Sequence, residues 1–520
     1  MRLDELTGGL AAAIHGGEEA GGAQVEIEEL AYDSRTVRRG ALFFCVPGFQ
    51  SDGHEFAGQA LAAGAAALAV ERRLDLGVPE VVFTSVREAM GPVAARFFDD
   101  PTAKLAVVGV TGTNGKTTTA YLVRALLEAS GTQCGLLGTV TSIIGGQERP
   151  VTRTTPEAID LQREFSEMLA GGDGACAMEV SSHALALGRC DAIHYAAAVF
   201  TNMSRDHLDF HGTMEDYFDA KRRLFCVPAG VAGEGGGART PGSLPAGPGA
   251  SVVNVGDPYG RRLAEELELA ITFAVEAPAD YSARDVRCDL GGCRFTLATP
   301  AGERELALPM PGRFNVANAL GALAAAIALG CELDIVAGAL EGGVRVPGRL
   351  EPVDEGQDFA VLVDYAHTPD SLENVLRTAR ELASPADASA GRVVCVFGAG
   401  GDRDRGKRPL MGEIGARMSD IAIVTSDNPR SEDPEAIIAE ILAGVRAGDR
   451  EQVRQTADRA AAIAQAVGLG RSGDVVVIAG KGHEQGQELA GGRKIPFDDV
   501  AVAREALRSA PRASVALSGR

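Results

Sequence analysis

The chain contains no tryptophan, and aromatic residues supply only 5% of its 520 positions. With 45% apolar residues and 65 glycines, its cores must be built mainly from small aliphatic side chains, and the missing tryptophan reflects compositional bias rather than function. No Cys-x-x-Cys pair occurs among the nine cysteines. That excludes the common zinc and dithiol motifs and leads to the expectation of a reduced, cytoplasmic protein; Cys288 and Cys293 are the nearest pair, with no partner cluster. There is no basic surplus either. A net charge of −21 excludes broad binding to nucleic acid or to an anionic membrane, so any phosphorylated ligand must be held by local groups. Long apolar runs are absent: "ALAAGAAALAV" and "ALGALAAAIALGC" are too short to span a bilayer and read as core helices, so no membrane insertion is expected. The opening "MRLDELTGGLAAAIHGG" has no basic segment and no sustained apolar segment, and is not expected to act as a signal peptide.

What is present divides into three α/β blocks, 1–100, 101–342 and 343–520. "GALFFCVPG" and "EVVFTSV" read as strands in the first, which closes before Pro101. In the second, the strand before the glycine loop is followed by "GACAMEVSSHAL" and "AAAVFTNMSRDHLD". In the third, "FAVLVDYAH", "RVVCVFGAGGDRDRG", "IAIVTSDNPR" and "GDVVVIAGKGHE" are apolar runs that each end in polar residues. Strands alternating with helices, with chemistry at the strand ends, predict parallel doubly wound sheets. Residues 227–250 form a Gly/Pro/Ala-rich stretch expected to be a mobile surface loop without chemistry.

"VGVTGTNGKTTTA", residues 108–120, carries the strongest chemical signal. Val110 replaces the first glycine of G-x-x-x-x-G-K-[ST], yet small residues still let backbone amides face a phosphate. A helix beginning at Lys116 adds positive potential, Lys116 reaches phosphate oxygens, and Thr117 is able to ligate Mg²⁺. An ordinary Gly-rich turn would not carry the Gly-Lys-Thr triplet between strand and helix. Read alone, Glu179 after the "ACAM" strand is a solvated carboxylate and Lys221 in "DAKRRLF" a surface residue. His207 and His211 lack an HExxH pattern, so one histidine beside a phosphate-bound Mg²⁺ is the better reading than zinc. "GAGGDRDRG" carries Arg403 at the last glycine position of a dinucleotide fingerprint and suits carboxylate recognition instead.

Taken in order, TGTNGKTTT, MEVSSH, TNMSRDHLDFHG, DAKRRLF, PGRFNVANAL, VPGRLE, VDYAHTPDSLE, GAGGDRDRGKRPLM, SDNPR and GKGHE resemble the Mur ligase family, most closely its tripeptide-forming branch. The motifs run from "AYDSR" to "GKGHE", nearly the whole chain. The resemblance implies a UDP-binding N-terminal domain, a central P-loop ATPase domain and a Rossmann-like C-terminal domain. It implies ATP contacts at Gly112, Thr113, Asn114, Gly115, Lys116, Thr117, Thr118, Asn318, Arg349, Asp364 and His367. Tyr32, Ser34, Thr154, Thr155, Ser181 and Arg189 would hold UDP-N-acetylmuramoyl-L-alanyl-D-glutamate. Arg403, Asp427, Asn428, Pro429, Arg430, Gly480 and Glu484 would hold the incoming amino acid. Thr117, Glu179, His207 and Lys221 match Mg²⁺ positions, Lys221 as a carbamate formed with CO₂, and Lys116, Lys221 and His207 would carry the catalysis.

The implied reaction makes an acyl phosphate on the D-glutamate γ-carboxylate, which the amine of meso-diaminopimelate then attacks. Arg430 of "DNPR" offers a bidentate partner for a distal carboxylate, which lysine, the alternative substrate, lacks. Folylpolyglutamate synthetase is the nearest rival enzyme, typically reading GKGS in place of GKTT. A P-loop NTPase with water as acceptor is the rival from another class. A monomer acting on small molecules is expected.

Overall fold

The computed structural model describes residues 1–10, 13–16, 22–48, 51–225, 248–384 and 391–509. Three sheets follow one another along the chain. In the first, Glu29–Ala31, Ala41–Phe44, Ala67–Val70 and Glu80–Val82 lie parallel and Ala13–His15 closes one edge antiparallel. The second has eleven strands. Its parallel core includes Ala106–Thr111, flanked directly by Ala175–Glu179 and Tyr195–Phe200. Antiparallel strands extend both edges, Ser142–Ile144 and Gln147–Arg149 on one side, Gly292–Thr299 and Gly302–Leu308 on the other. These hairpin additions were not read as separate strands from the sequence.

The third sheet places Ala360–Asp364, Val475–Ala479, Val393–Phe397, Ile421–Val424 and Val453–Gln455 in parallel, with Glu351–Pro352 antiparallel at one edge. A separate hairpin pairs Gly486–Glu488 with Lys494–Pro496. Period-two alternation buries both faces of each sheet. Val108 and Val110 enter one core of the central domain while Val107 enters the other, as Ala175 and Ala177 do opposite Cys176 and Met178.

One detail departs from expectation. Cys288 and Cys293 are not both free thiols: they face each other as register partners across a hairpin and are joined by a disulfide. Sequence spacing alone did not reveal that the intervening turn brings the two side chains together. Six other cysteines are free, and Cys226 lies outside the described residues, as does the 227–250 stretch except for its last three residues.

One buried ion pair supports the third domain. Arg459 and Asp499, both with no exposed side-chain surface, join helices Arg459–Leu469 and Asp499–Ser509 at 2.6 Å. Arg459 also donates to the Ala479 carbonyl at 3.0 Å, just before "GKGHE". Removing one member strands a buried charge. Arg459→Met is therefore expected to destabilise by about 3–5 kcal/mol, and Arg459→Met/Asp499→Leu to recover part of that loss, read as denaturation midpoints.

Candidate active site

The phosphate loop leaves Ala106–Thr111 near the middle of the central sheet, where successive crossovers switch from one side of that strand to the other. Crevices form at such switch points beyond the carboxyl ends of parallel strands. Gly112 has φ +146°, and a Cβ there would lie 1.9 Å from Thr201 Oγ1; Gly115 has φ +86°, and its Cβ would meet Asn318 Oδ1 at 2.3 Å. Only glycine fits both places. The Asn114 amide donates to Asn202 Oδ1 at 2.9 Å, and its carbonyl accepts from Thr201 Oγ1 at 2.6 Å. Helix Lys116–Ala129 then aims its free amides into the crevice.

A cavity of about 360 Å³ lies over this loop. It is lined by Thr113 through Thr118, with Asn318, Arg349, Asp364 and His367 from the far side. Gly112, the remaining nucleotide candidate, lies behind this wall and uses its carbonyl instead. That carbonyl accepts from Lys116 Nζ at 3.0 Å and from Lys221 Nζ at 2.7 Å. Two lysines thus converge on one oxygen. Arg349 crosses from the C-terminal domain to donate to Thr117 Oγ1 at 2.9 Å, with its guanidinium 4.6 Å over the Tyr365 ring. Asp364 is consumed structurally, accepting from the Leu350 and Ala366 amides at 2.7 and 2.8 Å.

The four metal candidates line the same cavity. Glu179 is 1% exposed, and its two carboxylate oxygens accept from the Thr139 amide at 2.7 Å and the Thr139 hydroxyl at 3.0 Å. Among the described residues it has no ion pair. Burial pushes the His207 imidazolium down despite Asp206 Oδ2 at 3.2 Å, leaving a neutral ring able to bind a cation. Lys221 is also 1% exposed, against the face of Tyr217. Burial first, and the charge of Lys116 second, pull its ammonium well below the usual lysine range. Hydroxyl and carboxylate oxygens with one neutral imidazole form a hard donor set that fits Mg²⁺; an ammonium at Lys221 does not, whereas a carbamate there does.

A second cavity, about 1170 Å³, opens between the central and C-terminal domains. Asn428, Arg430 and Glu484 line it, as do Thr139 and Tyr365, which also line the first cavity. The two therefore meet along a shared wall. Asp427, Pro429 and Gly480 lie behind this lining. Arg403 is exposed, donates to the Asp402 carbonyl at 3.0 Å and is not among the residues that line this cavity.

The candidates for holding the UDP-linked dipeptide divide similarly. Thr154 and Ser181 line the phosphate cavity. Thr155 is buried and ties the Glu179 carbonyl to the Ser181 amide at 2.8 and 3.1 Å. Arg189 pairs with Glu157 at 2.9 Å. Tyr32 donates to Asp160 at 2.6 Å, linking the first domain to the second, and Ser34 donates to Gln59 at 3.1 Å. Those four are set back from the phosphate cavity.

Comparison with known proteins agrees with this architecture. Residues 26–97 match the Mur ligase family catalytic domain, 110–326 the Mur ligase middle domain and 348–482 the Mur ligase glutamate ligase domain. Over 488 residues the chain is 46% identical to the UDP-N-acetylmuramoyl-L-alanyl-D-glutamate–2,6-diaminopimelate ligase of Geobacillus kaustophilus, covering 94% of this chain and 96% of that one. The chain belongs to the Mur ligase family. The similarly named ligase of Syntrophomonas wolfei is 43% identical over 98% of this chain and 99% of its own length. A solved ligase of that name superposes with a TM-score of 0.63 at 34% identity, covering 93% of this chain and 95% of the other.

Sequence reasoning missed several residues that complete this Mur ligase site. Thr139 holds Glu179, yet nothing in "LLGTVTS" marks it. Asp370, on the first turn of helix Pro369–Leu382, accepts from Asn114 Nδ2 at 2.7 Å and Ser204 Oγ at 3.1 Å, tying the C-terminal domain to the phosphate loop. Lys481, the central lysine of "GKGHE", is fully buried between Asn428 and Glu484.

Among the described residues, no helix is long and apolar enough to cross a membrane.

Proposed function

We propose that the chain joins meso-diaminopimelate to the D-glutamate γ-carboxylate of UDP-N-acetylmuramoyl-L-alanyl-D-glutamate, using ATP. It does so as a cytoplasmic monomer whose domains meet near residues 100 and 342. The observation that carries this reading is the shared wall: a phosphate-loop cavity and an arginine-bearing cavity adjoin at Thr139 and Tyr365. A simple hydrolase needs no second chamber beside its phosphate site.

A carboxylate is a poor electrophile at neutral pH. Lys116, released from the Gly112 and Thr113 carbonyls, offsets charge on the phosphoryl group moving from ATP to the γ-carboxylate oxygen. Arg349 adds a second positive group from the opposite domain, so the arrangement is complete only when the domains are closed. The amine then attacks the acyl carbon. A carbon–nitrogen bond forms, the carbon–oxygen bond to phosphate breaks, phosphate leaves with the electron pair, and the amine nitrogen gives up a proton to the medium. Holding both cavities against one wall supplies the approach geometry.

Thr117, Glu179, His207 and carbamylated Lys221 would hold Mg²⁺, which supplies charge neutralisation when bound. A neutral Lys221 amine is the form that adds CO₂, losing a proton as the carbamate forms, and its burial beside Lys116 favours that form. Arg430 would take the distal carboxylate of diaminopimelate.

Phosphate release from ATP and the UDP-linked dipeptide, with meso-diaminopimelate or L-lysine supplied in parallel, tests the reading. Turnover with diaminopimelate alone is expected. Arg430→Ala should raise its KM about 10²-fold, the cost of stranding one partner of a desolvated charge pair. Turnover with lysine alone would sink the role of Arg430. Equal release without either amino acid would make water the acceptor.

A further inference from the structure

We infer that Glu488 is a positioning residue that sets the choice of amino acid by aiming Arg430; this rests on the reading of Arg430 as the distal-carboxylate partner. Glu488 ends the strand Gly486–Glu488, whose hairpin partner Lys494–Pro496 places it beside the "DNPR" loop. It grips Arg430 twice. The Glu488 carbonyl accepts from the Arg430 backbone amide at 3.1 Å, and Glu488 Oε2 accepts from Arg430 Nε at 2.9 Å. Arg430 needs such support because its backbone has φ +51°, a left-handed conformation that side-chain-bearing residues rarely adopt.

The remaining donors explain the aim. Nη1 donates to the Gly401 carbonyl at 2.8 Å, while Nη2 makes no hydrogen bond among the described residues. With its Nε edge held by Glu488, the guanidinium presents its Nη end to a ligand carboxylate. Glu488 also reaches the other half of the pocket. Its amide donates to Asn428 Oδ1 at 2.9 Å, an oxygen that already accepts from Lys481 Nζ at 2.9 Å. Lys481 Nζ and Asn428 Nδ2 both donate to Glu484 Oε2 at 2.8 Å. Asn428 is thus a strut rather than a free ligand group, and Glu484 keeps its second oxygen for the substrate. One residue of the hairpin connects the cation and the carboxylate that would read a zwitterionic amino-acid end.

A double-mutant cycle on the full-length enzyme tests this. Glu488→Ala is expected to raise KM for meso-diaminopimelate about tenfold with kcat and KM for ATP near wild type, and Glu488→Gln, which keeps an acceptor oxygen, should restore part of the loss. Arg430→Ala/Glu488→Ala should be no worse than Arg430→Ala alone, because Glu488 acts through Arg430. Additive losses in the double variant would overturn the inference, as would an unchanged KM in both single Glu488 variants or an equal rise in KM for ATP. A wild-type enzyme that does not use diaminopimelate at all would instead overturn the reading of Arg430 itself.

Discussion

Lys221→Ala is expected to lower kcat by about 10³-fold, roughly 4 kcal/mol of transition-state stabilisation, while leaving the fold intact. The size follows from where Lys221 sits. It is buried, its nitrogen is 2.7 Å from the Gly112 carbonyl, and it lies on the helix Met214–Arg222 facing the phosphate loop. An ordinary ammonium there repels Lys116 and offers nothing to a cation. A carbamate would reverse the sign of the charge in the cavity that Glu179 and His207 also line. Lys221→Glu, or acetate added to the alanine variant, should therefore restore measurable turnover, and wild-type activity should fall when CO₂ is stripped from the buffer. An alanine variant that retains activity, or a wild type indifferent to CO₂, would remove the carbamate from the mechanism. Thermal denaturation of each variant separates lost chemistry from lost structure.

Lys116→Met should cost about 10³-fold in kcat/KM, comparable to deleting a principal electrostatic group at a phosphoryl-transfer centre. Its ammonium satisfies the Gly112 and Thr113 carbonyls at 3.0 and 2.8 Å, so the side chain is already folded over the place a phosphate would take. Loss of that charge weakens both ATP binding and stabilisation of the moving phosphoryl group. Single-turnover measurement of acyl-phosphate formation, trapped by hydroxylamine in the absence of amino acid, isolates the first step. A variant that forms acyl phosphate at the wild-type rate but fails to complete the amide would shift the role of Lys116 to the second step.

Much of this molecule could be read along the chain. The run "LAVVGVTGTNGKTTT" carries its own strand, turn and helix start, because a phosphate cradle is built from consecutive residues. The four apolar runs of the C-terminal domain each became a parallel strand ending in polar residues. Lys221 and Glu179 were different. Their local sequence supports only a helix and a strand end, and the resemblance to Mur ligases was needed to single them out. Arg403 is a motif residue whose side chain is exposed and lies outside the lining of the second cavity.

The sequence by itself determined three α/β units, the phosphate loop and the strand ends that carry polar groups, since all of these follow from hydrogen-bonding patterns and hydrophobic periods spanning a few neighbouring residues. Only the tertiary structure decided that Thr139 holds Glu179 across 40 positions, that Asp370 reaches Asn114 across 256, and that Glu488 aims Arg430 across 58. Such contacts depend on how sheets and domains pack. A lone threonine on a loop, or a glutamate at the end of a short strand, has no local pattern to announce them.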